Sequence, residues 1–190
     1  MDGALLQELY TRDGSGTLIS RDLYDGIRAA QVEDIGAILD LIAPLIKGGN
    51  LVDRSRDDIE KDIGTYYVYS RDDLVVACGQ VKMYQGEKGE VMAEIAGLVV
   101  HPDYQRKGRG DTMLGYLERL CIDSGCHKVF ILSTISAQFF IDRKFKLGKF
   151  EDLPVGKRAN VDQGRGSKVY VKEIKDVREL EVEELMWDDR

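Results

Sequence analysis

A glycine-rich, basic loop is the part of the sequence best suited to bind an anion. It follows an apolar strand, runs V-V-H-P-D-Y-Q-R-K-G-R-G, and opens a helix. Glycines let a ligand approach the backbone closely, and a helix N-terminus presents N–H groups and the positive end of its dipole. The pattern predicts a pyrophosphate site formed by Gln105, Arg106, Lys107, Gly108, Arg109 and Gly110.

Taken alone, the same hexapeptide is also compatible with a plain strand-to-helix turn that carries solvated basic side chains. Two other phosphate-binding patterns do not fit it. The chain has no G-x-x-x-x-G-K-[ST], as P-loop kinases have, and no G-x-G-x-x-G opening a βαβ unit. The sequence therefore favours neither a P-loop kinase nor a dinucleotide-binding fold.

A single carboxylate interrupts the apolar run E-V-M-A-E-I-A-G-L-V-V that precedes the loop. Strand alternation places Glu94 on one face together with Ala96, Leu98 and Val100. Burial of a carboxylate is costly and favours proton uptake, which suits a general base. The alternative is a solvated strand start at which Glu94 pairs with a lysine, and the residues alone do not separate the two.

Charge and residue counts exclude several other classes of protein. Lys and Arg number 27 and Asp and Glu 34, which gives a net charge of −7 and opposes general attraction to nucleic acid or anionic lipid. The cysteines Cys78, Cys121 and Cys126 lack metal-ligand spacing, and the chain has only two histidines. We expect buried, reduced thiols and no metal site, nucleic-acid partner or membrane partner.

Before the loop, the pattern predicts two helices and then three strands. Apolar residues recur at helical spacing in E-D-I-G-A-I-L-D-L-I-A-P-L-I-K-G-G, where Pro44 predicts a kink and Gly48–Gly49 the end. Ser55 opens a capping-box-like S-R-D-D and predicts a short helix through Ile63. The runs T-Y-Y-V-Y-S-R, L-V-V-A-C-G-Q-V-K-M-Y and E-V-M-A-E-I-A-G-L-V-V predict an antiparallel meander.

After the loop come a helix, the strand K-V-F-I-L, the helix A-Q-F-F-I-D-R-K-F and the late strand S-K-V-Y-V-K-E-I. The order α-α-β-β-β-α-β-α-β predicts a three-layer α/β domain. We place this domain at residues 25–176, after a linker or domain remnant at 1–24 and before an acidic tail at 177–190. The N-terminus has neither the pattern of a signal peptide nor that of a transit sequence, so we expect a cytoplasmic protein, or an organelle-matrix protein whose targeting sequence lies outside this chain.

The run E-I-A-G-L-V-V-H-P-D-Y-Q-R-K-G-R-G-D-T-M-L-G-Y-L-E resembles the acetyl-CoA-binding motif of the GCN5-related N-acetyltransferases. The resemblance implies that family's fold, a mixed central sheet with helices on both faces, and acetyl-CoA as co-substrate. It also implies that the strand before the loop contacts the pantetheine arm through its backbone, at Leu98, Val99 and Val100. Phe140 is a further cofactor-contacting residue by the same resemblance.

Nearly the whole chain resembles the acetyltransferase domain of the N-acetylglutamate synthase family. The resemblance rests on R-D-L-Y-D-G-I-R, E-I-A-G-L-V-V-H-P-D-Y, V-F-I-L-S-T-I-S-A-Q-F-F and R-G-S-K-V-Y-V-K-E-I. It implies L-glutamate as substrate, with Glu94 as general base and Ser133 as general acid. Where relatives carry an arginine and a tryptophan, this chain has Ile135 and Phe139.

The same resemblance implies that two clusters clamp the two substrate carboxylates, Arg54 with Arg56 and Arg165 with Ser167. It implies direct attack in a ternary complex, and association with an amino-acid-kinase-like domain or a second copy. Two alternatives remain open. One is an acetyltransferase of the same fold that acts on another amine, and the other is a regulatory module that binds CoA without turnover.

Overall fold

The structure is a computed structural model that describes residues 26–71, 74–87 and 89–174. The predictions for residues 1–24 and 177–190 lie outside the described residues. The strands are β1 (Ile27–Ala29), β2 (Tyr66–Arg71), β3 (Leu74–Gln85), β4 (Val91–Val100), β5 (Lys128–Ser133), β6 (Lys146–Leu147) and β7 (Lys168–Glu173). The helices longer than one 3₁₀ turn are α1 (Ile35–Lys47), α2 (Arg56–Lys61), α3 (Arg109–Asp123), α4 (Ala137–Asp142) and α5 (Val155–Arg158).

Within the described residues the strands form a seven-stranded sheet in the order β1-β2-β3-β4-β5-β7-β6. The sheet is mixed, because β4 and β5 are parallel whereas β1–β2, β5–β7 and β6–β7 are antiparallel. Strands β2, β3 and β4 are consecutive neighbours, as the predicted meander requires. The parallel pair is joined by α3, a crossover of the kind that parallel strands need.

The described chain divides into two compact units. The first comprises the described residues up to Pro44, together with Arg54–Gly79 and Leu98–Tyr116. The second comprises Leu45–Asp53, Gln80–Gly97 and the described residues from Leu117 onward. In the second unit, Met92 of β4, Phe130 of β5 and Val169 of β7 form a buried apolar cluster with Leu153.

Local sequence signals explain where helix α1 ends and where helix α2 begins. Helix α1 buries Ile35, Ile38, Leu41 and Ile42 at helical spacing and ends at Lys47, one residue before the glycine pair. Helix α2 has Ser55 as its N-cap, and the capping box with Asp58 is complete. The Ser55 hydroxyl accepts a hydrogen bond from the Asp58 N–H over 3.1 Å, which satisfies a helix-start donor.

Two predicted helix ends are wrong, and three short elements were not predicted. Helix α2 ends at Lys61 rather than at Ile63, and residues Ile63–Thr65 form a 3₁₀ turn instead. Helix α4 ends at Asp142 rather than continuing through Phe145, because Lys144 adopts a left-handed conformation with φ 68°. Strands β1 and β6 and helix α5 were not predicted, since elements of two to four residues carry no periodicity.

None of the helices in the described ranges is long and apolar enough to cross a membrane. The longest of them, α3, spans Arg109–Asp123.

Candidate functional site

The predicted phosphate loop lies in the first unit, between the end of β4 and the start of α3. A 3₁₀ turn at Pro102–Tyr104 leads into it, and the Gln105 side-chain amide donates to the Val100 carbonyl over 2.9 Å. Gly108 has φ 76°, and a Cβ added there would meet no atom within 4 Å. Its carbonyl accepts from the Thr112 N–H over 3.0 Å, so the loop ends directly at the helix N-terminus.

The three basic side chains of this loop differ in exposure. Arg106 and Lys107 are exposed, and Arg106 has a left-handed φ of 61°. Arg109 is only 7% exposed, with its guanidinium 5.0 Å from the centroid of the Tyr104 ring. The cationic side chains at the loop surface are therefore those of Arg106 and Lys107, whereas Arg109 is buried and packs on the Tyr104 ring.

The strand before the loop changes conformation at a glycine. Gly97 has φ 56°, so the alternation predicted from Glu94 to Val100 is interrupted there. After this break Val99 is buried, and Leu98 and Val100 are half-buried. The His101 N–H then donates to the Val76 carbonyl over 2.8 Å, which ties the strand end to β3.

The first arginine cluster also lies in the first unit, but its two members differ. Arg54 donates to the Tyr66 hydroxyl, and its guanidinium lies 5.7 Å from the centroid of that ring. Burial raises the pKa of Tyr66, so the phenol stays protonated at neutral pH. Arg56 is exposed in the first turn of α2. The structure thus fixes Arg54 against a buried tyrosine.

The Glu94 carboxylate lies in the second unit. The sequence left two alternatives for it, a buried carboxylate and a solvated one that pairs with a lysine, and the structure matches neither in full. It is 4% exposed, so the solvated strand start is wrong. It nevertheless pairs with a lysine, because Lys157 Nζ lies 2.7 Å from Glu94 Oε1. The Tyr84 hydroxyl donates to Glu94 Oε2 over 3.1 Å.

Ser133 is the last residue of β5 and lies opposite Lys168 of β7. Its hydroxyl donates to the Ile135 carbonyl and accepts from the Ile135 N–H over 3.3 Å. These contacts close a turn that holds the hydroxyl at the strand end. The next residue, Thr134, donates its hydroxyl to Asn50 Oδ1 over 3.4 Å.

The second arginine cluster and Phe140 lie in the same unit as Ser133. Arg165 ends a 3₁₀ turn, and its Nη2 donates to the Asn50 carbonyl over 3.0 Å. Ser167 is half-buried and immediately precedes β7. Phe140 is buried in an aromatic cluster with Phe139, Phe145 and Tyr170.

Strand register brings Glu94 and Ser133 to neighbouring strands. The β4–β5 pairing that the structure describes ends at Glu94 opposite Phe130. Strand β5 then continues along β7 to Ser133, three residues or roughly 10 Å further on. The described pairing between β4 and β5 therefore ends before Ser133, which lies on the part of β5 that pairs with β7.

The three thiols are buried, as predicted, and all are free. Burial raises the pKa of Cys78 to about 12. It also raises that of Cys121 to about 12, with Cys126 and Glu118 adding to the effect, and burial raises the pKa of Cys126 as well. A thiol of this kind is a poor nucleophile, because the reactive species is the thiolate. In the described part of the chain, no group of three or more His, Cys, Asp or Glu side chains is arranged to hold a metal ion.

Native-state labelling checks these pKa shifts. A pKa of about 12 leaves a thiol about a thousandfold less ionised at pH 8 than one near 9. We expect Ellman's reagent at pH 8 to release far less than one equivalent from native protein, and three after denaturation in guanidinium, since the chain has three cysteines. Rapid labelling of one native thiol, with loss of acetyl transfer, would contradict this expectation.

The loop and the sheet that carries it match one known family. Residues 37–145 match the acetyltransferase (GNAT) family, which is more than half of the chain. This chain belongs to the acetyltransferase (GNAT) family. The predicted family and fold class are thus confirmed.

Longer proteins resemble this GNAT chain over most of its length. An amino-acid acetyltransferase of Mannheimia succiniciproducens is 42% identical over 173 residues, or 91% of this chain and 39% of the relative. One of Azotobacter vinelandii is 39% identical over 174 residues, or 91% of this chain and 39% of that relative. The chain therefore spans about two fifths of the length of the curated relatives it matches.

A solved structure resembles the GNAT chain to a similar extent. It is N-acetylglutamate synthase from Neisseria gonorrhoeae, complexed with coenzyme A and N-acetyl-glutamate. The TM-score is 0.77 and the identity 33%, over 92% of this chain and 41% of that one. The same enzyme complexed with coenzyme A and L-arginine gives a TM-score of 0.72 and 32% identity, over 92% of this chain and 39% of that one.

Sequence reasoning missed three residues that contact the predicted ones. They are Lys157 and Tyr84, which hold Glu94, and Asn50, which contacts Thr134 and Arg165. Lys157 lies on the four-residue helix α5, which the sequence did not predict. The K-M-Y segment that ends with Tyr84 was predicted as strand, but no local pattern connects it with Glu94.

Proposed function

We propose that this chain transfers the acetyl group of acetyl-CoA to the α-amine of L-glutamate. The observation that carries the proposal is the likeness, over nearly the whole chain, to an N-acetylglutamate synthase complexed with coenzyme A and N-acetyl-glutamate. Amino-acid acetyltransferases at about two fifths identity support the same substrate class. The proposal covers the activity of this chain alone, since it spans about two fifths of the length of these relatives.

The residues of the loop fit the pyrophosphate of CoA. Gly108 leaves open space where a side chain would stand, and the first turn of α3 presents backbone N–H groups beside it. Exposed Arg106 and Lys107 supply positive charge on a protein of net charge −7. When bound, acetyl-CoA supplies the activated acetyl group. Backbone N–H groups of Leu98 and Val99 are the proposed donors to its pantetheine arm and thioester carbonyl.

The amino acid requires cationic clamps for two carboxylates. We assign one to Arg165 with Ser167, since Asn50 already holds the Arg165 guanidinium in place and so lowers the entropy lost on binding. Arg54 with Arg56 is the proposed second clamp, in which Tyr66 orients Arg54. A cationic substrate such as a polyamine would not use either cluster.

The proton steps are assigned to two side chains. The Glu94 carboxylate takes a proton from the substrate ammonium, directly or through one water, and the free amine then attacks the thioester. The Ser133 hydroxyl, oriented by the Ile135 backbone, donates a proton to the departing thiolate and regains one, through water, from the nitrogen of the tetrahedral intermediate, which loses a proton as the amide forms. The raised pKa values of Cys78 and Cys121 are consistent with direct attack rather than a covalent thiol intermediate.

An amine screen with acetyl-CoA tests the proposed function most directly. The purified chain is incubated with acetyl-CoA and one amine at a time, and free CoA thiol is measured. The amines are glutamate, glutamine, aspartate, a polyamine and an N-terminal peptide. We expect glutamate to give the highest kcat/KM. A higher value for the polyamine or the peptide, or no thiol release with any amine, would reject glutamate acetylation.

Arg165→Ala is expected to raise the KM for glutamate about tenfold to a hundredfold. The reason is the loss of one charged hydrogen bond to a substrate carboxylate, which typically contributes about 1.5–3 kcal/mol. Acetyl-CoA affinity should stay within about twofold, because the loop is untouched. Arg119→Ala is a suitable control, since Arg119 forms an exposed ion pair with Asp123 on α3. An unchanged KM in the Arg165 variant would reject this clamp.

A further inference from the structure

A second ionisable side chain reaches the proposed base. Lys157 Nζ lies 2.7 Å from Glu94 Oε1, and the lysine side chain is only 20% exposed. The groups that face Glu94 are Tyr84 from β3, Lys157 from α5 and the apolar Phe130 opposite it on β5. Among these described contacts, Lys157 therefore carries the positive charge that faces the carboxylate.

Helix α5 is fixed in a way that leaves Lys157 little freedom. Leu153, directly before the Pro154 N-cap, is buried in the cluster with Met92 and Phe130. Arg158 donates through Nε to the Leu153 carbonyl over 2.7 Å, and its Nη1 pairs with Glu87 Oε1 at 2.9 Å. The buried Leu153 thus anchors the chain just before the helix, and the contacts of Arg158 anchor its last residue. Lys157, which lies between these two residues in the sequence, pairs with the Glu94 carboxylate.

We propose that Lys157 is a positioning residue for acetyl transfer, which offsets the charge of the buried Glu94 carboxylate and holds it in the orientation that accepts the proton of the substrate ammonium. This inference rests on the proposed function. A buried carboxylate without a partner is costly, and the Lys157 ammonium at 2.7 Å offsets that cost.

The substrate proton requires an acceptor position on the Glu94 carboxylate. A carboxylate offers about four lone-pair positions, of which Lys157 and Tyr84 occupy one each. In the transfer, an N–H bond of the substrate ammonium breaks and an O–H bond forms on Glu94, directly or through one water. Lys157 keeps its three protons and neither gains nor loses an electron pair. Its contribution is charge and orientation only.

Lys157→Met tests the inference through the pH dependence of kcat/KM. Without the ammonium, burial favours the uncharged acid in the variant, so the acidic limb of the profile should move to higher pH than in the wild type. Lys157→Arg keeps the charge and should leave the limb within about half a unit of the wild type. Lys172→Met is the matched control, since Lys172 is 19% exposed and lies 2.7 Å from Glu118 Oε1.

A second readout does not require activity. In Lys157→Met, the loss of Tm relative to the wild type should be large at pH 8, where Glu94 is an unpaired buried anion. It should shrink as the pH falls and the carboxylate is protonated. The double variant E94Q/K157M should lose this pH dependence. If K157M does not fold at all, recovery of cooperative unfolding in the double variant supports the inference, and failure of both variants overturns it.

The outcomes separate this inference from the proposed function. If the wild-type chain acetylates glutamate but K157M has an unshifted acidic limb, or K172M shifts as much, the inference is wrong and the function stands. If the wild type acetylates no amine, the proposed function fails. In that case K157M could still show a pH-dependent difference in Tm that is absent from E94Q/K157M. This result would show that Lys157 and Glu94 pair but have no catalytic role, and it would overturn the inference.

Discussion

Glu94→Gln is expected to lower kcat for glutamate acetylation by about 10²–10⁴-fold. Glutamine has nearly the size of glutamate and can still accept from the Tyr84 hydroxyl, but it cannot take a proton at neutral pH. The substrate α-amine is mostly protonated there, so the reaction then depends on the small fraction of free amine. The rate of the variant should consequently rise with pH more steeply than that of the wild type. Steady-state kinetics from pH 6 to 9.5 measure both effects.

Glu118→Gln provides the matched control for this experiment. Like Glu94, Glu118 is a largely buried carboxylate with a lysine nitrogen at 2.7 Å, so both variants lose one such ion pair. A kcat that falls equally in both would assign the effect to lost stability rather than to proton transfer. Acetyl-CoA affinity, measured by calorimetry, should stay near the wild-type value in each. A near-native kcat for E94Q at neutral pH would remove Glu94 from the proposed mechanism.

The parts of the candidate site that could be predicted depend only on residues that are close together in the sequence. The loop from Gln105 to Gly110 was predictable because glycine spacing and an adjoining helix define it within six residues. Strand alternation identified Glu94 as a carboxylate among apolar neighbours but left open whether it is buried or solvated, and its 4% exposure shows that it is buried. Both predictions needed only neighbours in the chain.

What could not be predicted depends on contacts between distant segments. Arg165 bonds to Asn50 across 115 positions, and Lys157 reaches Glu94 from a helix of four residues. No periodicity marks so short a helix, and no local pattern says which lysine meets which carboxylate. The break in alternation at Gly97 was also missed, since a glycine within an apolar run does not by itself reveal a positive φ. The Arg165–Asn50 contact, the Lys157–Glu94 contact and the conformation of Gly97 all depend on tertiary packing.

Gly108→Asp is expected to weaken CoA binding by about 10²–10³-fold. Like charges about 4 Å apart repel by roughly 4 kcal/mol at an effective dielectric constant of about 20, and the proposed pyrophosphate lies against this position. A Cβ added at this glycine meets no atom within 4 Å, so the protein has room for the side chain. An aspartate just before α3 also suits the helix dipole, which limits the damage to folding.

Gly125→Asp separates this charge effect from backbone strain. Gly125 follows α3 as Gly108 precedes it, has the same φ of 76°, and likewise has open space where a Cβ would stand. Both variants therefore bear a similar cost, about 1–2 kcal/mol, for a left-handed residue with a side chain. Gly108→Ala adds the strain at the loop without the charge. We expect calorimetry to give near-native CoA affinity for G125D, a modest loss for G108A and the large loss for G108D alone. Equal affinity in G108D and G125D, with both folded, would place the pyrophosphate elsewhere.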